Sequence, residues 1–133
     1  MEKVLLYNLS GTEKGRKIKA VLALMGIRVK EVHDTEYKNT IGSLAGIKGY
    51  EKENAIQAAQ DTVIEDTIPE EMLVMCGFSS QRVDEMLRNF RKKEIERVNL
   101  KAVVTPTNAA WNSLQLYEEL KREHEAMTKG TQK

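Results

Sequence analysis

The sequence holds few side chains of the kinds that do chemistry, and its single cysteine, Cys76, is the first to consider. Cys76 lies near the end of the apolar run MLVMCGF and is followed closely by Ser79 and Ser80. A cysteine attacks only as a thiolate, so it needs a base or a helix N-terminus that lowers its pKa. Free cysteines are among the most buried residue types, and we therefore expect an inert core thiol and assign no catalytic residue. A thiol-dependent enzyme, with the two serines or backbone N–H groups stabilising an anion, is the alternative.

Histidine and glycine patterns indicate neither a metal site nor a phosphate site. The two histidines, His33 and His124, lie far apart, and with one cysteine they leave no cluster with metal-ligand spacing. We therefore predict no metal and no cofactor. The stretch SGTEKGRK fits neither GxxxxGK[ST] nor GxGxxG, which favours turn glycines over a phosphate cradle.

The charges nearly cancel over the whole chain but are unevenly placed. The 133 residues include 21 Lys and Arg against 20 Asp and Glu, which gives no general attraction to nucleic acid or anionic lipid. Residues 51–71 carry seven acids against Lys52 alone, whereas residues 82–101 carry seven bases against four acids. Blocks of this size are commonly solvated faces, and we favour that interpretation. The alternative is nucleic-acid binding through a basic helix face that comprises Arg88, Arg91, Lys92 and Lys93.

No stretch has the length of a membrane span. The longest apolar runs, such as Ala20 to Met25, hold about six residues, far below the ~20 that a bilayer requires. No basic, apolar and small-residue segments follow one another at the N-terminus as in a signal peptide. We expect a cytoplasmic protein.

Hydrophobic periodicity predicts two β-α-β halves. The first comprises strand 4–9, a helix capped by Thr12 and ended by Gly26, and the half-polar strand 27–32. The second comprises strand 72–78, a helix capped by Ser79 or Ser80, and strand 100–105. Both helices place apolar residues at i, i+3, i+4 and i+7: Ile18, Val21, Leu22 and Met25 in one, Val83, Met86, Leu87 and Phe90 in the other. Few identities relate the halves, which favours a shared architecture over duplication.

The remaining segments complete one domain over residues 1–127. A short helix over 40–47, opened by Thr40 and extended through 51–60, should follow the first half. An acidic, mobile connector over 61–71 then leads to the second half. A last helix over 112–127 should pack on the sheet, with a frayed tail at 128–133.

This order of elements favours an α/β fold, a small three-layer α/β/α domain with a four-stranded, mainly parallel sheet. A half-polar second strand belongs at an edge, which gives strand order 2-1-3-4. That order should put the first helix on one face, the next two on the other, and the last helix beside the first. The alternative is an α+β ferredoxin-like sandwich, whose second and third strands are usually joined closely.

Ligands of open parallel sheets usually bind beyond the carboxyl ends of the strands, at the switch point between adjacent connections. For order 2-1-3-4 that crevice lies between the first and third strands. We expect its ligand-binding residues among the polar and aromatic side chains of three loops: Asn8, Ser10 and Thr12; Phe78, Ser79 and Ser80; Thr105, Thr107, Asn108 and Trp111.

The stretch TPTNAAWNSLQLYEEL can be explained largely by local structure. Pro106 ends the preceding strand, and Asn108 and Asn112 both offer helix N-caps. Gln115 lies three residues after Asn112, in capping-box register. Trp111 either anchors the helix start to the sheet or lines a pocket, because it combines a large apolar area with one N–H donor.

Five blocks of the sequence resemble a small bacterial family known only as a domain of unknown function, numbered 3783. They are KVLLYNL, IGSLAGIKGY, EMLVMCGFSSQRVDEML, LKAVVTPTNAAW and LYEELKREHEAM, which together cover nearly the whole chain. The resemblance implies a compact bacterial cytoplasmic domain, but no activity, ligand or functional residue.

A complete fold with polar loops and no catalytic constellation favours a binding or regulatory module that meets a small molecule or a protein. The thiol enzyme and the nucleic-acid binder described above are the alternatives. The sequence leaves the identity of the ligand and the oligomeric state open.

Overall fold

The structure is a computed structural model that describes residues 2–50 and 67–131, with side chains up to residue 126. The described chain forms strands β1 to β4 and helices α1 to α4, with short 3-10 turns before α2 and α4. In chain order they are β1 (Lys3–Tyr7), α1 (Glu13–Leu24), β2 (Arg28–Val32), α2 (Ile41–Ala45), β3 (Met72–Cys76), α3 (Ser80–Lys92), β4 (Leu100–Val103) and α4 (Ser113–Thr131). The 3-10 turns span Asp34–Glu36 and Asn108–Ala110.

The four strands form one mixed sheet of order β2-β1-β3-β4, as predicted. β1 and β2 are parallel, β3 and β4 are parallel, and the central pair, β1 and β3, is antiparallel. The mainly parallel α/β interpretation is therefore confirmed, and the ferredoxin-like alternative does not fit. The antiparallel central pair was not predicted.

This antiparallel pair changes which helices share a face. The second β-α-β half is turned by half a rotation about an axis perpendicular to the sheet. Because both crossover connections keep the same hand, α1 and α3 then lie on the same face. They pack side by side there, and their apolar residues share one core with Val4, Leu6, Leu73 and Met75. α2 and α4 cover the other face, over a second core built on Leu5, Tyr7, Met72 and Val74. The predicted distribution of helices over the two faces was therefore wrong.

The side chains of the central strands explain why periodicity alone could not give their direction. β1 and β3 are apolar at nearly every position and are buried on both faces, so each strand feeds both cores. Such a strand has the same continuous run of buried residues whichever way it points in the sheet. The pattern therefore predicted a buried central strand, but not its orientation.

The two crossover helices, α1 and α3, end in the same way. Gly26 follows α1 with φ 74° and Glu94 follows α3 with φ 55°, both in the left-handed region. Beyond each, an isoleucine N–H donates to a carbonyl of the last helical turn: Ile27 to Leu22 and Ile95 to Phe90, at 2.9 Å in each case. This is the Schellman arrangement, and it confirms Gly26 as the predicted helix end.

A basic residue near the start of α3 ties that helix to the first half. Arg82 donates from Nε and Nη2 to the two carboxylate oxygens of Glu2, at 2.7 and 2.6 Å, and from Nη2 to the carbonyl of Met25 at 2.9 Å. Glu2 precedes β1, and Met25 caps the end of α1.

Lys14, in the first turn of α1, makes the corresponding contacts with the second half. Its Nζ lies 2.6 Å from Glu71 Oε1 and 3.1 Å from the carbonyl of Arg97. Glu71 precedes β3, and Arg97 follows α3. Two clamps at opposite edges of the sheet therefore join the two β-α-β halves.

The segments between and after the halves agree in part with expectation. The predicted helix opened by Thr40 is α2, and its proposed extension over 51–60 lies outside the described residues, as do residues 61–66 of the connector. Ile68, within the rest of the connector, is buried in the second core. α4 begins one residue after the predicted start and continues through Thr131. Within the described chain, no helix is both long and apolar enough to span a bilayer.

Candidate functional site

The predicted crevice between the first and third strands does not exist as one site. Tyr7, at the carboxyl end of β1, pairs with Met72 at the amino end of β3, and Lys3 pairs with Cys76. The loops that follow β1 and β3 therefore leave opposite edges of the sheet. We call the end of the sheet at which β1 and β2 have their carboxyl ends the β1/β2 edge. The opposite end, at which β3 and β4 have their carboxyl ends, is the β3/β4 edge.

Asn8, at the β1/β2 edge, holds the segment that leads into β3. It has φ 62°, and its Nδ2 donates to the carbonyls of Ile68 at 2.6 Å and Glu70 at 2.8 Å. Asparagine tolerates the left-handed conformation better than most residues, which suits it to this turn. Its amide is thus already engaged in a contact across 60 residues of sequence.

Ser10 and Thr12, the other candidates at this edge, also contact the protein itself. The Thr12 hydroxyl donates to the Leu9 carbonyl at 2.7 Å and accepts from the Gly15 N–H at 2.9 Å, which makes it the predicted N-cap of α1. Ser10 hydrogen-bonds the carboxylate of Glu31 and, after the stronger effect of Lys19, helps to lower the pKa of that carboxyl. These polar groups serve local structure.

At the β3/β4 edge, β3 is followed by Phe78, by the capping residue Ser79 and by Ser80, which is the first residue of α3. Ser79 accepts from the Arg82 N–H at 3.2 Å and is the N-cap of α3. Ser80 is exposed, and no hydrogen bond joins its hydroxyl to the described residues. Phe78 is half-buried against the first core, so part of its ring faces outward.

Cys76 ends β3 at the same edge and is half-buried. Burial raises the pKa of its thiol, an effect that the positive charge of Lys3 opposes only partly. A raised pKa favours the protonated thiol, which is a poor nucleophile. Burial therefore acts against a catalytic thiolate here, and the charge of Lys3 does not overcome it.

The loop after β4 is a self-contained turn with one outward residue. The Thr105 N–H donates to Asn108 Oδ1 at 2.8 Å, the Asn108 N–H donates to Thr105 Oγ1 at 3.2 Å, and Asn108 Nδ2 donates to the Val103 carbonyl at 3.1 Å. Asn108 is buried, whereas Thr107 is exposed and hydrogen-bonds none of the residues that the structure describes. Thr107 is therefore open to solvent.

Trp111 lies beyond this turn and is half-buried against the second core. Its carbonyl accepts from the Ile41 N–H at 2.8 Å, which joins the start of α4 to the start of α2. The next residue, Asn112, forms the predicted capping box with Gln115. The Gln115 N–H donates to Asn112 Oδ1 at 2.8 Å, and the Asn112 N–H donates to Gln115 Oε1 at 3.0 Å. Trp111 thus anchors this junction between helices.

The histidines and the basic helix face are placed as follows. His33 precedes the first 3-10 turn and His124 lies on the exposed part of α4. Among residues 2–50 and 67–126, no group of three His, Cys, Asp or Glu side chains could hold a metal. The bases of the predicted helix face lie in the C-terminal half of α3 or just after it, and they are all exposed: Arg88, Arg91, Lys92 and Lys93.

One group of charged residues could not be found from the sequence because its members are far apart in the chain. Lys14 and Lys101 both contact the loop that contains Arg97, at the β1/β2 edge, where their Nζ atoms donate to the carbonyls of Arg97 and Val98. Burial lowers the pKa of Lys101, and the positive charges of Arg97 and Lys14 lower it further. Only the antiparallel seam and the packing of α1 beside α3 bring these bases together.

Comparison with known proteins gives a family match without a function. Residues 71–127 match the model of a family described as Domain of unknown function (DUF3783). The match covers β3, α3, β4 and most of α4, fewer than half of the 133 residues, so it is narrower than the resemblance noted above. No curated protein and no solved structure gives a significant match.

Proposed function

We propose that this protein is a small binding or regulatory module whose recognition surface is formed by the two loops of the β3/β4 edge. The surface comprises Phe78 and Ser80 after β3 and Thr107 after β4. Its ligand is a small molecule or a protein segment that offers both an apolar group and hydrogen-bonding groups.

The observation that supports this proposal is the contrast between the two edges. Asn8, Ser10 and Thr12 are occupied in holding the fold at the β1/β2 edge. Ser80 and Thr107 are exposed and have no such task within the described chain, although both lie just beyond carboxyl ends of neighbouring parallel strands. Strand-end loops of parallel strands are the usual place for ligands in open α/β sheets.

Two further features suit this surface to recognition. Val103, at the end of β4, has 37% of its surface exposed, which is unusual for a valine in a strand of this sheet. The half-buried ring of Phe78 adds apolar area that a ligand can cover. The surface also lies inside the range matched by the family model.

The thiol-enzyme alternative is weaker, because the raised pKa of Cys76 disfavours the thiolate that such an enzyme requires. The proposal places the protein in the cytoplasm, a compartment that suits its free cysteine. A bacterial source is part of the proposal and rests on the family resemblance.

Native mass spectrometry of gently purified protein tests the surface. We expect a retained mass that is lost on denaturation, and a Thr107→Arg variant that no longer retains it, because a long charged side chain covers the loop. Thr35→Arg is the matched control, since Thr35 is an exposed threonine in the 3-10 turn that follows β2 at the other edge. Equal retention by both variants would remove the β3/β4 edge from consideration.

A further inference from the structure

The helices α1 and α3 cover one face of the sheet and run antiparallel to each other. Lys14 Nζ, in the first turn of α1, lies 3.1 Å from the Arg97 carbonyl in the loop after α3. At the other end of the pair, Arg82 Nη2, in the first turn of α3, donates at 2.9 Å to the carbonyl of Met25, which caps α1. The first half of α1 therefore lies beside the second half of α3, and bases that are far apart in the sequence share one end of this face.

Bases outnumber acids at this end of the helix pair. Among residues 13–17 and 88–97, the exposed charged side chains are seven bases and three acids, an excess of four positive charges. Lys14 is left out of this count because it is half-buried and paired with Glu71. The three acids are Glu13, Glu94 and Glu96. We call the seven bases the basic surface: Arg16, Lys17, Arg88, Arg91, Lys92, Lys93 and Arg97.

The fold makes little use of the charged groups of the basic surface. Lys17 Nζ lies 3.9 Å from Glu13 Oε1, at the outer limit of an ion pair. The other six side chains form neither an ion pair nor a hydrogen bond with any residue that the structure describes. An ammonium has three N–H donors and a guanidinium has five, so the surface offers many donors to an anionic partner.

The composition of the basic surface indicates which anionic partner it fits. Four of the seven bases are arginines, whose planar guanidinium groups bind phosphate oxygens through two parallel hydrogen bonds. Helices that bind membranes combine their bases with exposed apolar side chains. In the described chain, the large apolar residues that are exposed are Leu24, at the other end of α1, and Val103, at the β3/β4 edge. A lipid surface is therefore a poor fit.

The basic surface also lacks the means to hold a single strand or to read bases. Single-stranded nucleic acid is held by stacking on aromatic side chains, and Phe90, the only aromatic residue of α1 and α3, is buried. Each helix is about 10 Å across, so two helices side by side do not fit in a major groove that is about 12 Å wide. The surface can therefore contact the phosphate backbone of a duplex but not its base edges.

We propose that the basic surface binds the phosphate backbone of double-stranded DNA without regard to base sequence. Its cationic side chains replace counterions that are condensed on the duplex, and release of those ions drives binding at low salt. Contacts to phosphate groups alone carry no sequence information. This activity goes beyond the proposed function, because the recognition surface lies at the β3/β4 edge and neither surface depends on the other.

Fluorescence polarisation of a dye-labelled DNA duplex, titrated with the full chain at about 50 mM salt, tests the proposal. We expect saturable binding, similar affinity for two duplexes of unrelated sequence, and a linear fall of log affinity with log salt concentration. Arg91→Gln should lower the affinity about tenfold at this salt concentration and reduce the salt slope by about one, because it removes one phosphate contact. Arg16→Gln, on the other helix, should have the same effect.

Arg28→Gln is the matched control. Arg28 is an exposed arginine at the start of β2, at the opposite end of the sheet, so its substitution changes the net charge equally but should leave DNA binding as in the wild type. Because Arg16 and Arg91 are exposed, their substitutions should leave the circular-dichroism spectrum unchanged, which excludes loss of fold as the cause.

Several outcomes would overturn the proposal. Absence of binding at about 50 mM salt is one, and equal effects of Arg91→Gln and Arg28→Gln are another. Binding of polyglutamate as tightly as the duplex would show that the surface attracts any polyanion. Tighter binding of phosphatidylserine vesicles, of single-stranded DNA or of an RNA duplex would assign the surface to a different partner.

Discussion

The hydroxyl of Tyr7 lies inside the second core, 2.7 Å from the Ser113 hydroxyl, and both residues are fully buried. Removing the Ser113 oxygen leaves a buried hydroxyl without its partner, which costs about 1–3 kcal/mol. We expect Ser113→Ala to lower the free energy of unfolding by that amount, as measured by urea denaturation. Ser80→Ala is the matched control, since Ser80 also occupies the first position of a helix but is exposed, and it should change stability by less than about 0.5 kcal/mol. Equal effects would contradict a structural role for the pair.

Tyr7 also predicts how stability depends on alkaline pH. Burial raises the pKa of Tyr7 well above its usual value of about 10. The folded protein therefore keeps a proton that the unfolded chain loses, and stability falls as the pH rises above about 10, by about 1.4 kcal/mol per pH unit. Tyr7→Phe should lack this contribution, which is measured by comparing unfolding free energies at about pH 9 and about pH 11, roughly one unit on either side of the usual tyrosine pKa. Identical slopes in the two proteins would show that Tyr7 ionises freely.

Cys76 predicts slow alkylation. Because burial raises the pKa of its thiol, the folded protein holds less thiolate at neutral pH than an exposed cysteine does. We expect iodoacetamide to react more slowly with the folded protein than with a cysteine peptide, and to react at the peptide rate in denaturant. A folded protein that reacts faster than the peptide would revive the thiol-enzyme hypothesis.

Polar loop residues are ambiguous when they are read from sequence alone. Thr12, Ser79 and Asn108 have the side chains that bind ligands, and they are also the side chains that cap helices and turns. The caps of α1 and α3 could be predicted because each precedes a periodic apolar run. The contact of Asn8 with Ile68 and Glu70 could not, since it joins segments 60 or more residues apart.

At the scale of elements, Arg82 and Glu2 predict a stability that depends on acid pH. The hydrogen bonds from Arg82 are the main cause that lowers the pKa of Glu2. A lowered folded-state pKa adds stability at neutral pH that is lost as the pH falls below about 4. Arg82→Met should therefore lower the urea midpoint at pH 7, and its difference from the wild type should shrink in acid.

Glu85→Gln serves as the control for this clamp. Glu85 contacts the Arg82 Nη1 at 3.0 Å but is more exposed than Glu2, so its loss should lower the midpoint less than Arg82→Met does. Two results would contradict the assigned role of Glu2. One is a larger effect of Glu85→Gln than of Arg82→Met. The other is a difference in urea midpoint between the wild type and Arg82→Met that remains unchanged at about pH 3, roughly one unit below the usual glutamate pKa.

The elements themselves were largely predictable, whereas the relation between the two halves was not. Apolar periodicity located the strands and helices, and the charged positions of β2 placed it at an edge. Strand direction across the β1–β3 pair depends on how the long segment between α2 and β3 returns to the sheet. The pattern of buried residues does not indicate that path. The predicted distribution of helices and the predicted shared crevice were therefore wrong for the same reason.

At the scale of the whole molecule, the two β-α-β halves are arranged about an approximate two-fold axis through the β1–β3 seam. Each half contributes a buried central strand, a parallel edge strand, a Schellman helix end and a basic residue that clamps the other half. This arrangement divides the strand-end loops between two edges. It also brings the start of α1 beside the loop that follows α3.

The two edges differ in what remains available for a partner. At the β1/β2 edge the predicted ligand-binding residues hold the connector and cap α1. At the β3/β4 edge, Ser80, at the first position of α3, and Thr107, in the loop after β4, remain exposed. The proposed function therefore rests on the location of the recognition surface, and a measurement that reports location tests it best.

The most direct measurement is an amide NMR spectrum of isotopically labelled protein, recorded with low- and high-molecular-weight fractions of a cell extract. We predict that one fraction shifts the amide signals of residues 77–80 and 104–108, which would place a ligand on the β3/β4 edge. Shifts confined to the β1/β2 edge, or no shift with either fraction, would contradict the proposed recognition surface.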